Sequence, residues 1–302
     1  MTTLTPPPTT AETEPGDRRT LVIAWLATLA LSALPEVALV EWLGLDSPPG
    51  GLIRLAVAIA LVGAAALWPA ARALRGYFVV MLAVIVVDDV LIGLLGGLVT
   101  LQDPQPIVNL VVTYTGPFFV LAVAFAGFLV LGLRLTRQQA YLTTGDLRAR
   151  SRLRLPGMRR PLSWIPVGIG LTVFFAGSIA GALASEGAYA DATVERLLPL
   201  VPLVVASAFF NAFGEEVVFR AGPLATLHRV VGARQAVLLT SVWFGLAHWV
   251  GGVPSGLSGA IGSGLFGVAL GWAMVRTRGL GWPLIIHLAV DTPIMLAIAA
   301  AV

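Results

Sequence analysis

The sequence predicts an all-α protein, a polytopic transmembrane helical bundle of eight to nine spans, and three observations predict it. Of its 302 residues 57% are hydrophobic and 12% charged, and the mean hydropathy is +0.89, which excludes a soluble domain. The apolar residues gather into runs close to the ~20 residues that a membrane-crossing helix needs. The arginines fall between alternate runs, as positive charge does on the cytoplasmic side. One bundle follows, rather than separate globular domains.

Taken in order, residues 1–19 are rich in Thr, Pro and Glu and read as a disordered cytoplasmic tail. The apolar run 20–44 is too long for the core of a signal peptide and is expected as a retained span, although Glu36 and Glu41 interrupt its second half. Further spans are expected at 51–73, 76–98, 107–133, 162–183, 194–220, 233–250, 256–276 and 281–302. With the N-terminus inside, the cytoplasmic segments hold Arg18 and Arg19, Arg72 and Arg75, eight arginines from Arg134 to Arg160, Arg229 and Arg234, and Arg276 and Arg278. Only Arg54 and Arg196 remain outside, so one alternating topology, N-in and C-out, satisfies nearly every charge. Nine spans result, or eight if one segment is re-entrant. The regions are then a tail (1–19), an N-terminal four-helix membrane region (20–133), a basic cytoplasmic loop (134–160) and a membrane domain (161–302).

Trp42, Trp68, Trp164, Trp249 and Trp282 lie near span ends, where interfacial anchors belong. The loop 134–160 reads as a positive-inside connection, with an amphipathic helix on anionic lipid as the alternative. Gly259, Gly262, Gly264, Gly267 and Gly271 allow close helix packing in the eighth span. With no cysteine, disulfides and thiolate chemistry are excluded. All 19 basic residues are arginine, which fits a GC-rich coding bias, and their place beside the spans explains them without nucleic acid.

Within this apolar chain the stretch Asn211 to Gly222, NAFGEEVVFRAG, carries Glu215, Glu216 and Arg220. A charge at the bilayer centre costs roughly 2.5 to 3.5 kcal/mol on insertion scales, so such residues point to function. On a helix Glu216 and Arg220 are i,i+4 neighbours that neutralise each other, while Glu215 points about 100° away and stays free for chemistry. Of the three histidines, His248 and His287 also lie inside apolar spans, and His228 belongs to the cytoplasmic turn.

Counting from the cytoplasmic anchors sets their depth. Glu215 lies 14 residues before Arg229 and His248 lies 14 after Arg234, so a hairpin turning near 230–233 brings the two level. His287 and Asp291 follow Arg278 by nine and thirteen residues and share one helix face. Glu215, His248, His287 and Asp291 can therefore converge as a carboxylate and imidazole to activate water, with a second imidazole to polarise a carbonyl. Glu215, His248 and His287 also match the two-histidine, one-carboxylate ligand set of a catalytic zinc, although HExxH is absent. Both versions of the chemistry are hydrolytic.

These residues carry a resemblance. Glu215-Glu216-x-x-x-Arg220, Phe244-x-x-x-His248 and His287-x-x-x-Asp291 resemble the three ordered motifs of the CPBP family, the CaaX-protease and bacteriocin-processing intramembrane endopeptidases, also called Abi proteins. The resemblance covers about residues 160–302. It implies that Glu215 activates the attacking water with His248, that His287 and residue 291 complete the site and stabilise the oxyanion, that Glu216 and Arg220 support it as a buried pair, and that Phe244 packs beside it. Where the family most often has Asn, this chain has Asp291, and an ionised Asp cannot donate a hydrogen bond to an oxyanion. Asp291 is then protonated, or orients His287, or ligates a metal. The expected partners are the lipid bilayer and a membrane-associated protein or peptide substrate, and the expected location is a bacterial plasma membrane.

Two other readings compete. In one, the motif residues hold together a non-catalytic immunity or scaffold protein. In the other, Asp88, Asp89, Glu215 and Glu216 serve an ion-coupled transporter, which the absence of an internal repeat disfavours. Asp88 and Asp89 could line a cavity, or pair with Arg72 or Arg75. Glu36 and Glu41 are expected at the interface.

Overall fold

The computed structural model describes residues 17–44, 50–99, 103, 105–151, 153, 160–190 and 192–301. Most of the expected tail lies outside these residues. At its end helix α1, Arg18–Leu31, has already begun, with the Asp17 carboxylate accepting from the Arg19 amide at 3.3 Å. Among the described residues the only β-pairing is an isolated bridge between Arg150 and Ser163.

The expected first span is broken. Helix α1 gives way to α2, Leu34–Trp42, at a bend of 57°. Pro35 is the cause: lacking an N–H and crowding the turn before it, proline is tolerated only in the first turn of a new helix, where it sits here. Helices α3 (Gly50–Leu67), α4 (Pro69–Gly97), α5 (Pro106–Gly132) and α6 (Trp164–Ser185) follow. The next helical segment, Val194–Val250, contains one non-helical residue, Gly232, at φ 78°. Only glycine adopts this conformation without strain, and the chain reverses there. The rings of Phe219 and Trp243 are 5.3 Å apart, whereas a straight helix would hold these residues about 36 Å apart. The two arms are α7 (residues 194–231) and α8 (residues 233–250), and the reversal falls inside the expected 230–233 turn. Helices α9 (Gly256–Thr277) and α10 (Gly281–Ala300) complete the bundle.

Seven described helices are long and apolar enough to cross a membrane, or eight with the bent pair α1–α2 taken as one span. The expected nine differs because Val194–Val250 is continuous except at Gly232, so its two arms count there as one.

Helices α5 and α7 run parallel. Thr115 meets Ser207 (Oγ1 to Oγ 3.1 Å), Phe118 packs on the Cα of Gly214, and Phe125 packs on Gly222. Helices α8 and α9 pack closely through small residues: a Cβ on Gly267 would lie 3.2 Å from Ser241, and one on Gly271 3.0 Å from Val237. The larger of two buried clusters among the described residues joins the N-terminal helices to the rest, with Leu31, Phe78, Phe118, Val217, Leu224, Leu239 and Ile286 in it, and the smaller gathers Ile107, Val204, Ala208, Met295 and Ala299.

The basic loop is neither a bare connection nor, among its described residues, an amphipathic helix. It is laced to the α9–α10 turn: the Asp146 amide donates to the Thr277 carbonyl at 2.7 Å, and the Leu280 and Gly281 amides donate to Thr143 and Thr144 at 2.8 and 3.1 Å. The Tyr141 hydroxyl meets His228 Nδ1 at 2.6 Å, which gives the turn histidine a structural partner. Burial pushes the Tyr141 phenol up to about 12, against the pull of Arg229 and Arg278. Two of the expected interfacial tryptophans belong to this junction instead. Trp164 and Trp282 are buried, and the Trp282 indole N–H donates to the Leu147 carbonyl at 2.9 Å. Trp42 and Trp68 are exposed, and Trp249 donates to the Glu41 carboxylate at 2.9 Å.

Asp89 pairs with Arg54 at 2.5 Å, not with Arg72 or Arg75. The reason is depth: Asp89 lies 14 residues along α4 from Arg75, or about 20 Å, whereas Arg54 is in the first turns of α3 at the same level as Asp89.

Candidate active site

The site begins where α7 changes its winding. Residues Glu216–Ala221 form a π-helical segment directly after Glu215, a local widening often found at functional sites. It keeps Glu216 and Arg220 on one face and buries both almost completely. The guanidinium donates to Glu216 Oε1 and lies over the Phe244 ring at 5.0 Å from its centroid. This is the expected buried pair, but Glu216 does more than neutralise Arg220.

The same Glu216 oxygen meets His287 Nδ1 at 2.7 Å. A carboxylate only accepts, so Nδ1 carries the hydrogen and Nε2 points the other way. Nε2 lies 3.4 Å from Glu215 Oε2 and 3.6 Å from Asp291 Oδ1. Glu216, and not Asp291, is thus the residue that orients His287. Two rings brace the imidazole edge-on, Phe266 at 5.1 Å and Phe244 at 6.4 Å.

Asn211 closes the cluster. Its amide nitrogen donates to Glu215 Oε1 and to Asp291 Oδ2, both at 3.1 Å, so one side chain holds carboxylates from α7 and α10 in register. It opens the stretch that carries the carboxylates, yet sequence reasoning assigned it no role. The available signal is an amide four residues before Glu215 in an apolar helix.

His248 stands beside this network rather than in it. Its ring packs on Phe244 at 4.6 Å, and Nδ1 lies 3.0 Å from the Phe244 carbonyl. A carbonyl accepts, so Nδ1 is the donor and a neutral His248 has a bare Nε2, a proton acceptor. Gly252, at φ +94°, lets the following loop cross the ring: a Cβ there would lie 2.7 Å from His248 Cδ2. Glu215 meets His287 directly and has His248 within electrostatic reach, and Phe244 is the wall common to both histidines.

Three carboxylates against one guanidinium leave the buried cluster at −2, or −1 with a proton on His287. Such a cluster holds and moves protons rather than staying fully charged. The zinc set Glu215, His248 and His287 is not assembled: among the described residues no three His, Cys, Asp or Glu side chains come together as a metal ion requires.

Residues 197–293 match the family model of Rce1-like proteins, described as type II CAAX prenyl endopeptidase Rce1-like. No curated protein and no solved structure matches the chain. The match covers about one third of the sequence and contains Asn211, Glu215, Glu216, Arg220, Phe244, His248, His287 and Asp291. The segment that builds this cluster is therefore similar to type II CAAX prenyl endopeptidases of the Rce1-like kind, in line with the CPBP-family motifs that the sequence resembles.

Proposed function

We propose that the protein is an intramembrane endopeptidase that hydrolyses a peptide bond of a membrane-associated protein or peptide. The observation that carries this reading is the buried Glu216–His287–Glu215 chain inside the matched segment, an oriented imidazole ending at a carboxylate to which no arginine is paired. Glu215 takes a proton from water as the water attacks the scissile carbonyl carbon. The bare Nε2 of His248 is the second acceptor for that proton. His287, held by Glu216, and Asp291, held by Asn211, keep Glu215 in place and balance its charge as it is protonated. On collapse of the tetrahedral intermediate the C–N bond breaks and the amine leaves with the proton from Glu215. No step is assigned to a metal. The protein lies in a bacterial plasma membrane with its N-terminus inside, and the site is buried within the bundle.

The test is cleavage of a membrane-tethered peptide library by the purified protein and by Glu215→Gln, each with and without chelator. We expect Glu215→Gln to lose about 10²- to 10⁴-fold in kcat/KM with an unchanged unfolding profile, and the wild type to be insensitive to chelator. Wild-type rates from Glu215→Gln would remove the carboxylate as base, and loss of cleavage on chelation would restore the metal-dependent version. A folded wild type that cleaves nothing in the library would favour the scaffold reading.

A further inference from the structure

The side-chain donors around Glu215 are already committed. Both amide hydrogens of Asn211 go to carboxylates, the Nδ1 hydrogen of His287 goes to Glu216, a proton on its Nε2 faces the Glu215 and Asp291 carboxylates, and the Nδ1 hydrogen of His248 goes to the Phe244 carbonyl. Asp291 accepts from Asn211 through Oδ2 and, as a carboxylate, has no hydrogen of its own to give. A tetrahedral oxyanion in this site thus needs a hydrogen-bond donor that the matched segment does not offer from these residues.

Helix α5, outside the matched segment, has one. Tyr114 precedes Thr115, whose hydroxyl is tied to Ser207 of α7, one helical turn before Asn211. Its ring packs on Phe118 at 5.9 Å, and Phe118 lies against Gly214, the neighbour of Glu215. These contacts fix Tyr114 at the level of the cluster. Its phenol lies within electrostatic reach of Glu215, Asp88 and Asp291. The side chain is half-buried, and its hydroxyl forms no hydrogen bond among the described residues. Segment Val111–Thr115 is π-helical, as is the segment carrying Glu216, so both walls are locally widened at the same place.

We propose that Tyr114 donates its phenolic hydrogen bond to the carbonyl oxygen of the scissile peptide as that oxygen becomes the oxyanion. This rests on the endopeptidase reading. Water adds to the carbonyl carbon, the C=O π pair moves onto oxygen, and the water proton goes to Glu215. The Tyr114 hydrogen stays on Tyr114 throughout, so the residue stabilises charge without exchanging a proton. The N-terminal helices are then part of the catalytic site, not only a scaffold for it.

The experiment compares the full-length wild type with Tyr114→Phe, Glu215→Gln, Asp291→Asn and the double variant Tyr114→Phe/Asp291→Asn. The probe is the library peptide that the wild type cleaves fastest. Tyr114→Phe should lower kcat about 10²-fold or more with KM changed less than about threefold. The double variant should regain at least about tenfold, because the amide introduced at position 291 supplies a donor to the same oxygen. A merely structural tyrosine would show no such rescue. If Glu215→Gln is inactive while Tyr114→Phe keeps the wild-type kcat, the Tyr114 assignment falls and the endopeptidase reading stands. If Glu215→Gln is as active as the wild type, or the wild type cleaves nothing, both fall. Should Tyr114→Phe fold poorly, Asp291→Asn alone decides: a gain of less than twofold in kcat supports a donor already in place, and a gain near 10²-fold means that the site lacked one.

Discussion

Glu216 serves two partners with one oxygen, and that makes Arg220 more than a counter-ion. Both members of the pair are almost fully withdrawn from solvent, and Glu216 Oε2 is buried without a hydrogen bond among the described residues. Removing the guanidinium leaves Glu216 with His287 as its remaining partner and without its fixed counter-charge in a low-dielectric interior, and breaking a buried pair in this way typically costs ~3 to 5 kcal/mol. Arg220→Ala should therefore lower the unfolding midpoint in detergent strongly. Adding Glu216→Gln should recover part of the stability by removing the orphaned charge, but not activity, since a neutral amide no longer fixes the His287 tautomer or balances its charge. Thermal unfolding and peptide cleavage on the same samples separate the two effects. An unchanged midpoint for Arg220→Ala would show that the pair contributes nothing. The i,i+4 spacing made the pair legible in the sequence. The bond from Glu216 to His287 was not legible, because 71 residues separate them and the azimuth of α10 against α7 is set by packing.

At the scale of the element, the reversal at Gly232 was legible because arginines bracket a short glycine-containing turn between two apolar runs. The break between α1 and α2 was equally available from Pro35, and hydropathy alone passes over it. The placing of His248 was less accessible, since it depends on a loop after α8 that no periodicity describes. Gly252 lets that loop lie against the imidazole, and its positive φ excludes a strain-free side chain. Gly252→Ala should displace the ring or the loop and lower cleavage by about tenfold or more, since misplacing a reacting group by ~1 Å can cost up to 10²-fold. Gly251→Ala is the matched control: its backbone is extended, and a Cβ there meets nothing within 4 Å. Equal rates for the two variants would mean that the loop does not hold His248.

At the scale of the molecule, the segment that matches a family is not the unit that packs. The family match begins at 197, yet the faces of α7 and α8 that it contains are covered by helices before 133. Trp243 donates to the Leu31 carbonyl at 3.0 Å, and Trp25 donates to Gln235 at 3.1 Å. Phe118 and Phe125 fill the grooves over Gly214 and Gly222, where no Cβ would fit. Exposing these faces to lipid would carry little hydrophobic cost, because lipid is as apolar as the core. What would be lost is close packing and the buried indole bonds, which drive helix association inside a bilayer. A fragment 161–302 expressed alone should therefore fail to run as a monodisperse species in detergent and should not cleave peptide. Co-expression with 1–160 should restore both, because Tyr114, the Phe118 wall and the loop residues that hold the α9–α10 turn all come from that part. A monodisperse, active 161–302 fragment would show that the first helices are dispensable, and would remove Tyr114 from the site with them.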